Sequence, residues 1–511
     1  MNADRAAIVE AGFFGSESLF VSFDFTQDAL LAAGAQYLQQ LRSGTLKEMP
    51  SEIKTYVHEL THYLHYTTTP YGLFLQYCRV MQSRATIVLV RALLDGGIGF
   101  RMPLLKNLPE MSDALAAEVR PWLSIWLNVE NLAATLHGDM QRRQELLSAY
   151  VADGERVAAG KTPLLPPLLD LKTVFLNIQT SMADLLDQEN AEARAAGNPQ
   201  PMQPAVFDRA ALSQERQSII SGADWADLRV QDALDLLGSP VNVEAIIESA
   251  ATIAEFWDAS TDFKSFVAWV NAEVDPELRV YRTCISDGLR SIKTESLPQF
   301  VLSYMALCEL AMFSPLLPHH APLRMRHPDL RQILPIHRWM ELLRVAAEVM
   351  PMRGTADYAR YATDLCQKLG WVHPLEIIKT AMDGPEAVSD PLATIYLLAQ
   401  RRRAQSLSDF FGVNRYLFQE GDEAAEWRRW FNFVILDYTD RTTYHPDKGF
   451  LKAMTTRSLN MLGMRCILLG SGLKIAAPYR GNQAEREWMT EWLRQRFKSL
   501  FNRDFAALQV V

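Results

Sequence analysis

Hydrophobic residues recur at spacings of three and four over much of the chain, with polar residues between them. This period is typical of amphipathic helices. It predicts helices over residues 29–41, 72–94, 121–149, 171–186 and 243–257. Apolar positions alternate instead along residues 19–25 and 431–438, which predicts two strands. The pattern therefore predicts a mainly α, multi-helical fold with a small β component.

Proline and polar residues displace the apolar period at 188–204, and we interpret this segment as a linker or a surface loop. It divides the chain into an N-terminal region, 1–187, and a helical region, 205–313. A second interruption, rich in proline, begins near residue 315 and predicts a C-terminal helical region over 314–511.

The strongest chemical signal is the segment HELTH at residues 58–62. Ser51 is the predicted N-cap of a helix that contains it, and the run of threonines before Pro70 predicts the end of that helix. At about 100° per residue, His58, His62 and His65 share one helix face. The opposite face is apolar and contains Ile53, Val57, Leu60 and Leu64.

Two histidines four positions apart on a helix can direct their ring nitrogens at one Zn²⁺ ion. The acid between them, Glu59, can reach a water on that ion and serve as general base for hydrolysis. The alternative is a pair of surface histidines, His58 and His62, on an ordinary amphipathic helix. For His65 we expect a role beside the metal ligands or a purely structural role, since one helix seldom provides three ligands to one tetrahedral ion.

The H-E-x-x-H segment resembles the active-site helix of the zincin metallopeptidases. The longer metzincin motif is absent, because His65 stands where that motif has glycine and Thr68 where it has its third histidine. The resemblance therefore implies a gluzincin-like site, in which a glutamate from a later helix completes the zinc ligands.

The segment 243–258 is the best candidate for that later helix. Glu248 is the predicted third ligand, because its neighbours Ala251 and Thr252 are small enough to let a second helix approach closely. Glu255, two turns later, is predicted to orient a ligating histidine. Glu255, Asp258 and Glu130 are alternative ligands, and an ordinary solvated acidic face is the alternative to any metal role.

A zincin-type reaction also needs a donor to the developing oxyanion, and the sequence does not assign one. None of the available side chains belongs to a recognisable motif. They are His319, His320, His327, His337, Tyr444 and His445.

The composition of the chain limits which kinds of partner and which cellular setting we expect. The net charge of −9 over 511 residues gives no long-range attraction to nucleic acid or to an anionic membrane. Five widely spaced cysteines without a CxxC pair argue against a disulfide framework and favour a reducing, cytoplasmic setting. We expect neither a secretory signal nor a membrane span.

The sequence therefore favours a zinc-dependent metallopeptidase that is selective for a protein or peptide substrate, with a possible regulatory protein partner. Two alternatives remain open at this point. One is a helical protein-interaction module with a structural or catalytically inactive zinc site. The other is a metal-dependent hydrolase of a non-peptide amide, since the metal chemistry would be shared.

Overall fold

The computed structural model describes residues 12–14, 20–46, 49–96, 111–137, 140–165, 241–256, 261–272, 276–314, 334–382, 399–400, 435–437, 443–444, 495 and 498. The strands are β1 (Gly12–Phe14), β2 (Phe20–Phe23), β3 (Ile435–Asp437) and β4 (Thr443–Tyr444). The helices are α1 (Gln27–Ser43), α2 (Ser51–Thr68), α3 (Pro70–Asp95), α4 (Asp113–His137), α5 (Met140–Ala158), α6 (Val243–Ala254), α7 (Phe263–Asn271), α8 (Pro276–Ser291), α9 (Leu297–Met312), α10 (Pro335–Ala346), α11 (Tyr358–Leu369) and α12 (Pro374–Met382). A 3₁₀ turn, Thr355–Asp357, precedes α11.

The described part of the chain is mainly helical, as its hydrophobic period predicts. Helices α1, α3 and α6 overlap the predicted segments 29–41, 72–94 and 243–257. The predicted helix 121–149 covers parts of two helices, α4 and α5, whereas residues 171–186 lie outside the described part. In the described residues we find no helix with the length and apolar character needed to cross a membrane.

The strands form one small sheet in the order β1-β2-β3-β4. Strand β2 lies within the predicted strand 19–25 and β3 within 431–438. They pair in parallel, with Val21 opposite Leu436, while β1 and β4 join as antiparallel edges. The ring of Phe23 stacks against Tyr56 of α2 at a centroid distance of 5.8 Å, which sets α2 against the sheet.

The chain forms two compact units, each built from separate stretches of sequence. The first consists of residues 1–75, 186–227 and 234–451, and the second of 76–185, 228–233 and 452–511. The first unit contains the HELTH segment. The predicted linker, 188–204, lies outside the described residues, and the predicted division into regions 1–187, 205–313 and 314–511 stays a prediction.

In the second unit, two buried charged side chains fix the end of α5. Asp153 accepts hydrogen bonds from the backbone N–H groups of Leu164 and Leu165 at 2.8 and 3.0 Å. The guanidinium of Arg156 pairs with Asp113 at 2.8 Å, at the first residue of α4. These bonds satisfy the charges, so we interpret both residues as structural.

Candidate metal centre

Helix α2 carries the HELTH segment and begins one residue earlier than the predicted N-cap implies. Pro50, with φ −52° and ψ 148°, is the N-cap, and its carbonyl accepts the first helical hydrogen bond from Lys54 at 2.9 Å. Ser51 is therefore the first residue of the helix, and its hydroxyl donates to Glu52. The prediction of Ser51 as N-cap was wrong because the extended backbone that an N-cap requires lies at Pro50.

The helix ends at the predicted place. Thr69 is extended, as the residue before a proline prefers, and Pro70 is the first residue of α3. The Thr69 hydroxyl donates to the carbonyl of His65 at 2.6 Å and accepts from the N–H of Gly72 at 3.1 Å. A Cβ atom at Gly72 would lie 2.7 Å from Cα of Tyr66, so only glycine lets α3 turn back this closely onto α2.

Burial around α2 excludes the alternative of two surface histidines. His62 and His65 are 6% and 7% exposed, while the side chain of His58 is 21% exposed. The predicted apolar face packs into the core, with Ile53, Val57 and Leu60 buried. The tyrosines of α2 are buried as well, consistent with packing roles: Tyr56, Tyr63 and Tyr66.

Helix α6 packs directly against α2. It begins at Asn242, whose side-chain oxygen accepts from the N–H of Ala245 at 2.7 Å, and its apolar face is buried. Ala251, next to the predicted ligand face, is fully buried, as close helix approach requires. Glu248 keeps 26% of its side chain exposed.

The structure brings His58, His62 and Glu248 together. Oε2 of Glu248 lies 3.3 Å from Nε2 of His58 and 3.4 Å from Nε2 of His62. The ligand atoms of the three residues all lie within 4.8 Å of one another, which is close enough to bind a metal ion. The two imidazole rings stand edge to face, with centroids 4.9 Å apart.

The distances from Oε2 of Glu248 to the two Nε2 atoms can be compared with those of a hydrogen bond and of a zinc site. A hydrogen bond between a charged imidazole and a carboxylate is normally about 2.7–2.9 Å long, so 3.3 and 3.4 Å are long for that purpose. Zinc ligands at about 2.0–2.1 Å in tetrahedral directions stand about 3.3–3.5 Å apart, because that distance is the edge of the tetrahedron. The two distances from the glutamate oxygen are therefore compatible with a shared metal ion.

Glu255 makes the contact that orients His58. Its Oε1 lies 2.8 Å from Nδ1 of His58, a normal charge-assisted distance. Because a carboxylate only accepts, Nδ1 carries the hydrogen and donates it, which directs Nε2 toward Glu248 and His62. This is the contact that the predicted role of Glu255 requires.

The acids also determine the charge of His58. Burial lowers the pKa of its imidazole, but the close contacts with Glu248 and Glu255, with the charges of Glu248 and Glu59, outweigh burial and raise it to about 10. Burial likewise raises the pKa of Glu248, yet the nearby His62 and His58 outweigh it and hold that pKa well below its usual range. In the metal-free protein at neutral pH, His58 is therefore an imidazolium beside two carboxylates. A divalent cation can take the place of the proton on this ring.

Glu59 is buried, 7% exposed, directly after His58 in the motif. Its charge is one of those that raise the pKa of His58, which means that the carboxylate lies close enough to influence the centre electrostatically. A buried acid beside candidate ligands is the arrangement that general-base chemistry uses.

Several other sequence candidates receive no role at the centre. His65 is buried one turn beyond His62 and is not among the grouped ligand atoms, so its role stays a prediction. Asp258 and the side chain of Glu130 lie outside the described residues. The same holds for His319, His320, His327, His445 and the side chain of Tyr444. His337 lies on α10, and the oxyanion donor stays unassigned.

Sequence reasoning missed the contacts that fix α6. Asn242 directly before an apolar run is an N-cap signature and was readable from the sequence. The hydroxyl of Tyr304, on α9, lies 2.7 Å from Oγ of Ser249, beside Glu248. No local pattern indicates this contact, because its partners are distant in the chain.

No protein-family model, curated protein or solved structure matches this chain.

Proposed function

We propose that the protein is a zinc-dependent metallopeptidase, with His58, His62 and Glu248 as metal ligands and Glu59 as general base. The observation that carries the proposal is the placement of Oε2 of Glu248 at 3.3 and 3.4 Å from the two Nε2 atoms. Two neutral imidazoles and one carboxylate form a ligand set that zinc prefers in hydrolytic sites.

Zinc held by these three residues would supply a Lewis acid that polarises a carbonyl group and lowers the pKa of a coordinated water. Among the residues that the structure describes, no fourth histidine, cysteine or acid joins the group. A structural zinc site usually has four protein ligands, whereas a catalytic site keeps one position for water or substrate. The three-residue set therefore favours the hydrolytic role over the structural alternative.

The chain's own residues then have distinct tasks. Glu59 accepts the proton of the attacking water and later gives it to the leaving amine. Its burial directly after His58 keeps this carboxylate beside the proposed ligands. Glu255 holds the Nδ1 hydrogen of His58, which keeps Nε2 free to ligate.

The resemblance of HELTH to zincin peptidases supports a peptide or protein substrate. The cysteine pattern supports a cytoplasmic setting. A regulatory protein partner would restrain such an activity. A non-peptide amide substrate remains the alternative within the same chemistry, since the substrate is selected by the surrounding cleft.

The test is hydrolysis of a synthetic peptide library by zinc-loaded wild type, Glu59→Gln and a matched control, Glu52→Gln, which makes the same change in the first turn of α2. We expect Glu59→Gln to keep its zinc and to lose at least about 100-fold in rate, while Glu52→Gln cleaves like wild type. Equal rates in wild type and Glu59→Gln would exclude Glu59 as the base. No cleavage by zinc-loaded wild type would exclude the peptidase assignment.

A further inference from the structure

The two acids that contact His58 are each followed in sequence by an anchored residue. Ser249 follows Glu248, and Phe256 follows Glu255. The hydroxyl of Tyr304 donates to Oγ of Ser249 at 2.7 Å, and both side chains are fully buried. The ring of Phe256 meets Phe266 edge to face at a centroid distance of 5.1 Å.

Phe256 and Tyr304, the partner of Ser249, are the ends of one continuous row of rings. Phe266 lies 5.5 Å from Phe300, and Phe300 lies 5.5 Å from Tyr304, measured between centroids. We name Phe256, Phe266, Phe300 and Tyr304 the aromatic brace. Phe266 and Phe300 are fully buried, so the brace links α7 and α9 to both ends of the segment 249–256.

The brace is tightly packed at its Tyr304 end. A Cβ atom at Gly288, on α8, would come within 2.5 Å of the Tyr304 ring. Glycine at this position therefore lets the α8 backbone lie against the ring, which leaves the ring little room to move. The position of the Tyr304 hydroxyl is fixed as a result. Its hydrogen bond in turn fixes the position of Ser249.

At its other end, the brace contacts the chain just beyond the last residue of α6. α6 ends at Ala254, and its C-cap Glu255 lies in a last turn that is closed by one backbone hydrogen bond, from the N–H of Phe256 to the carbonyl of Ile253 at 3.0 Å. Yet Glu255 must remain within hydrogen-bond distance of His58, while Glu248 stays beside the opposite nitrogen of the same ring. The ring of Phe256, which contacts Phe266 at 5.1 Å and Trp269 at 5.0 Å, packs this turn against α7.

We propose that the aromatic brace is a positioning device for the metal centre, with Phe256 as the residue that holds Glu255 on Nδ1 of His58. The zinc part of this inference rests on the proposed function. Displacements of about 1 Å in such supporting residues are enough to impair a site, because ligand geometry depends on them.

The experiment compares zinc Kd, by chelator competition, with the free energy of unfolding in the full-length protein. The variants are Phe256→Ala, Phe256→Tyr and the control Phe263→Ala. Phe263 packs on Phe266 and Phe300 at 6.5 and 6.2 Å but is adjacent in sequence to neither acid. Both alanine variants remove an aromatic contact of the same cluster, so a merely structural role would affect them alike.

We expect Phe256→Ala to raise the zinc Kd about tenfold, Phe256→Tyr to restore it, and Phe263→Ala to leave it within about twofold. An unchanged Kd in Phe256→Ala would overturn the proposal. If Phe256→Ala does not fold, Phe256→Leu takes its place, with the same expectation.

A crystal structure of the metal-free Phe256→Leu variant separates this inference from the proposed function. The brace predicts that the contact between Glu255 and His58 lengthens or is lost even without zinc, whereas a retained contact of 2.8 Å would overturn it. Failure of the wild type to bind zinc would contradict the proposed function and leave this structural test intact.

Discussion

Oε1 of Glu255 lies 2.8 Å from Nδ1 of His58, a residue 197 positions earlier in the chain. Glu248, from the same helical segment as Glu255, stands 3.3 Å from the other nitrogen of that ring. One imidazole is thus held between two acids with different tasks. The shorter contact orients the ring, and the longer one is compatible with a shared metal ion.

Replacing Glu255 by Ala removes the acceptor for the Nδ1 hydrogen of His58. We expect the zinc Kd to rise about 10- to 100-fold, because the ring loses its orientation while the ligand atoms remain. Chelator competition measures this change. Glu244→Ala is the matched control, since Glu244 is an exposed acid on the same helix, and its variant should bind zinc like wild type. Equal affinities in the two variants would contradict a role for Glu255.

Zinc binding should strengthen as the pH rises. The pKa of His58 is raised to about 10, so near neutral pH a proton must leave this ring before Nε2 can ligate. Zinc and the proton compete, and the apparent Kd should fall about tenfold per pH unit between pH 7 and 9. Isothermal titration in two buffers of different ionisation enthalpy should detect about one released proton per zinc. A Kd independent of pH over this range would contradict the proposed ligand.

The metal-free protein should show the opposite trend in stability. The raised pKa of His58 means that its contribution to the free energy of unfolding is complete below pH 6.5 and is lost as the pH rises through about 10. The pKa of Glu248 is lowered, so its contribution is complete above 4.5 and is lost as the pH falls through the lowered value. Together they stabilise the fold most between pH 4.5 and 6.5.

Denaturant unfolding of wild type and His58→Gln, both metal-free, measures this contribution as a difference. That difference should be largest between pH 4.5 and 6.5 and should shrink toward pH 10. A difference that grows with pH would show that His58 is not paired with the acids.

Gly72→Ala should destabilise the turn between α2 and α3. The added Cβ would meet the backbone of His65 and Tyr66, which cannot move aside as a flexible side chain can. We expect a loss of about 2 kcal/mol in the free energy of unfolding. Gly154→Ala is the control, because Gly154 lies in α5 with nothing within 4 Å of its Cβ position, and there alanine should stabilise by about 0.5–1 kcal/mol. Denaturant titration of both variants checks the pair, and equal effects would contradict the close approach at Gly72.

The helices and the residues at the centre were largely predictable from local pattern. The period of three and four located α6, and the residues before and after HELTH predicted the helix α2. The small neighbours of Glu248 marked the face that meets the histidines. The N-cap was less predictable. Ser51 and Pro50 are adjacent in sequence, and the N-cap is the one whose backbone is extended, which is Pro50. The alternation of β2 and β3 indicated strands, but their parallel pairing depends on contacts between distant parts of the chain.

The supporting contacts lay beyond sequence reasoning for the same reason. Nothing near Tyr304 indicates that its hydroxyl meets Ser249, and nothing near Phe256 indicates that its ring meets Phe266. Such contacts follow from how α7, α8 and α9 pack around α6. Gly72 and Gly288 are further examples. Glycine is required at each position because a neighbouring element leaves no room for a side chain.

The proposed function requires that His58, His62 and Glu248 hold one metal ion. Elemental mass spectrometry of tag-free wild type, His58→Ala and Glu248→Ala measures whether they do. We expect about one zinc per wild-type chain and loss of that zinc in both variants. Zinc lost only in His58→Ala would contradict Glu248 as a ligand, and a wild-type chain that stays metal-free after incubation with zinc would contradict the metal centre itself.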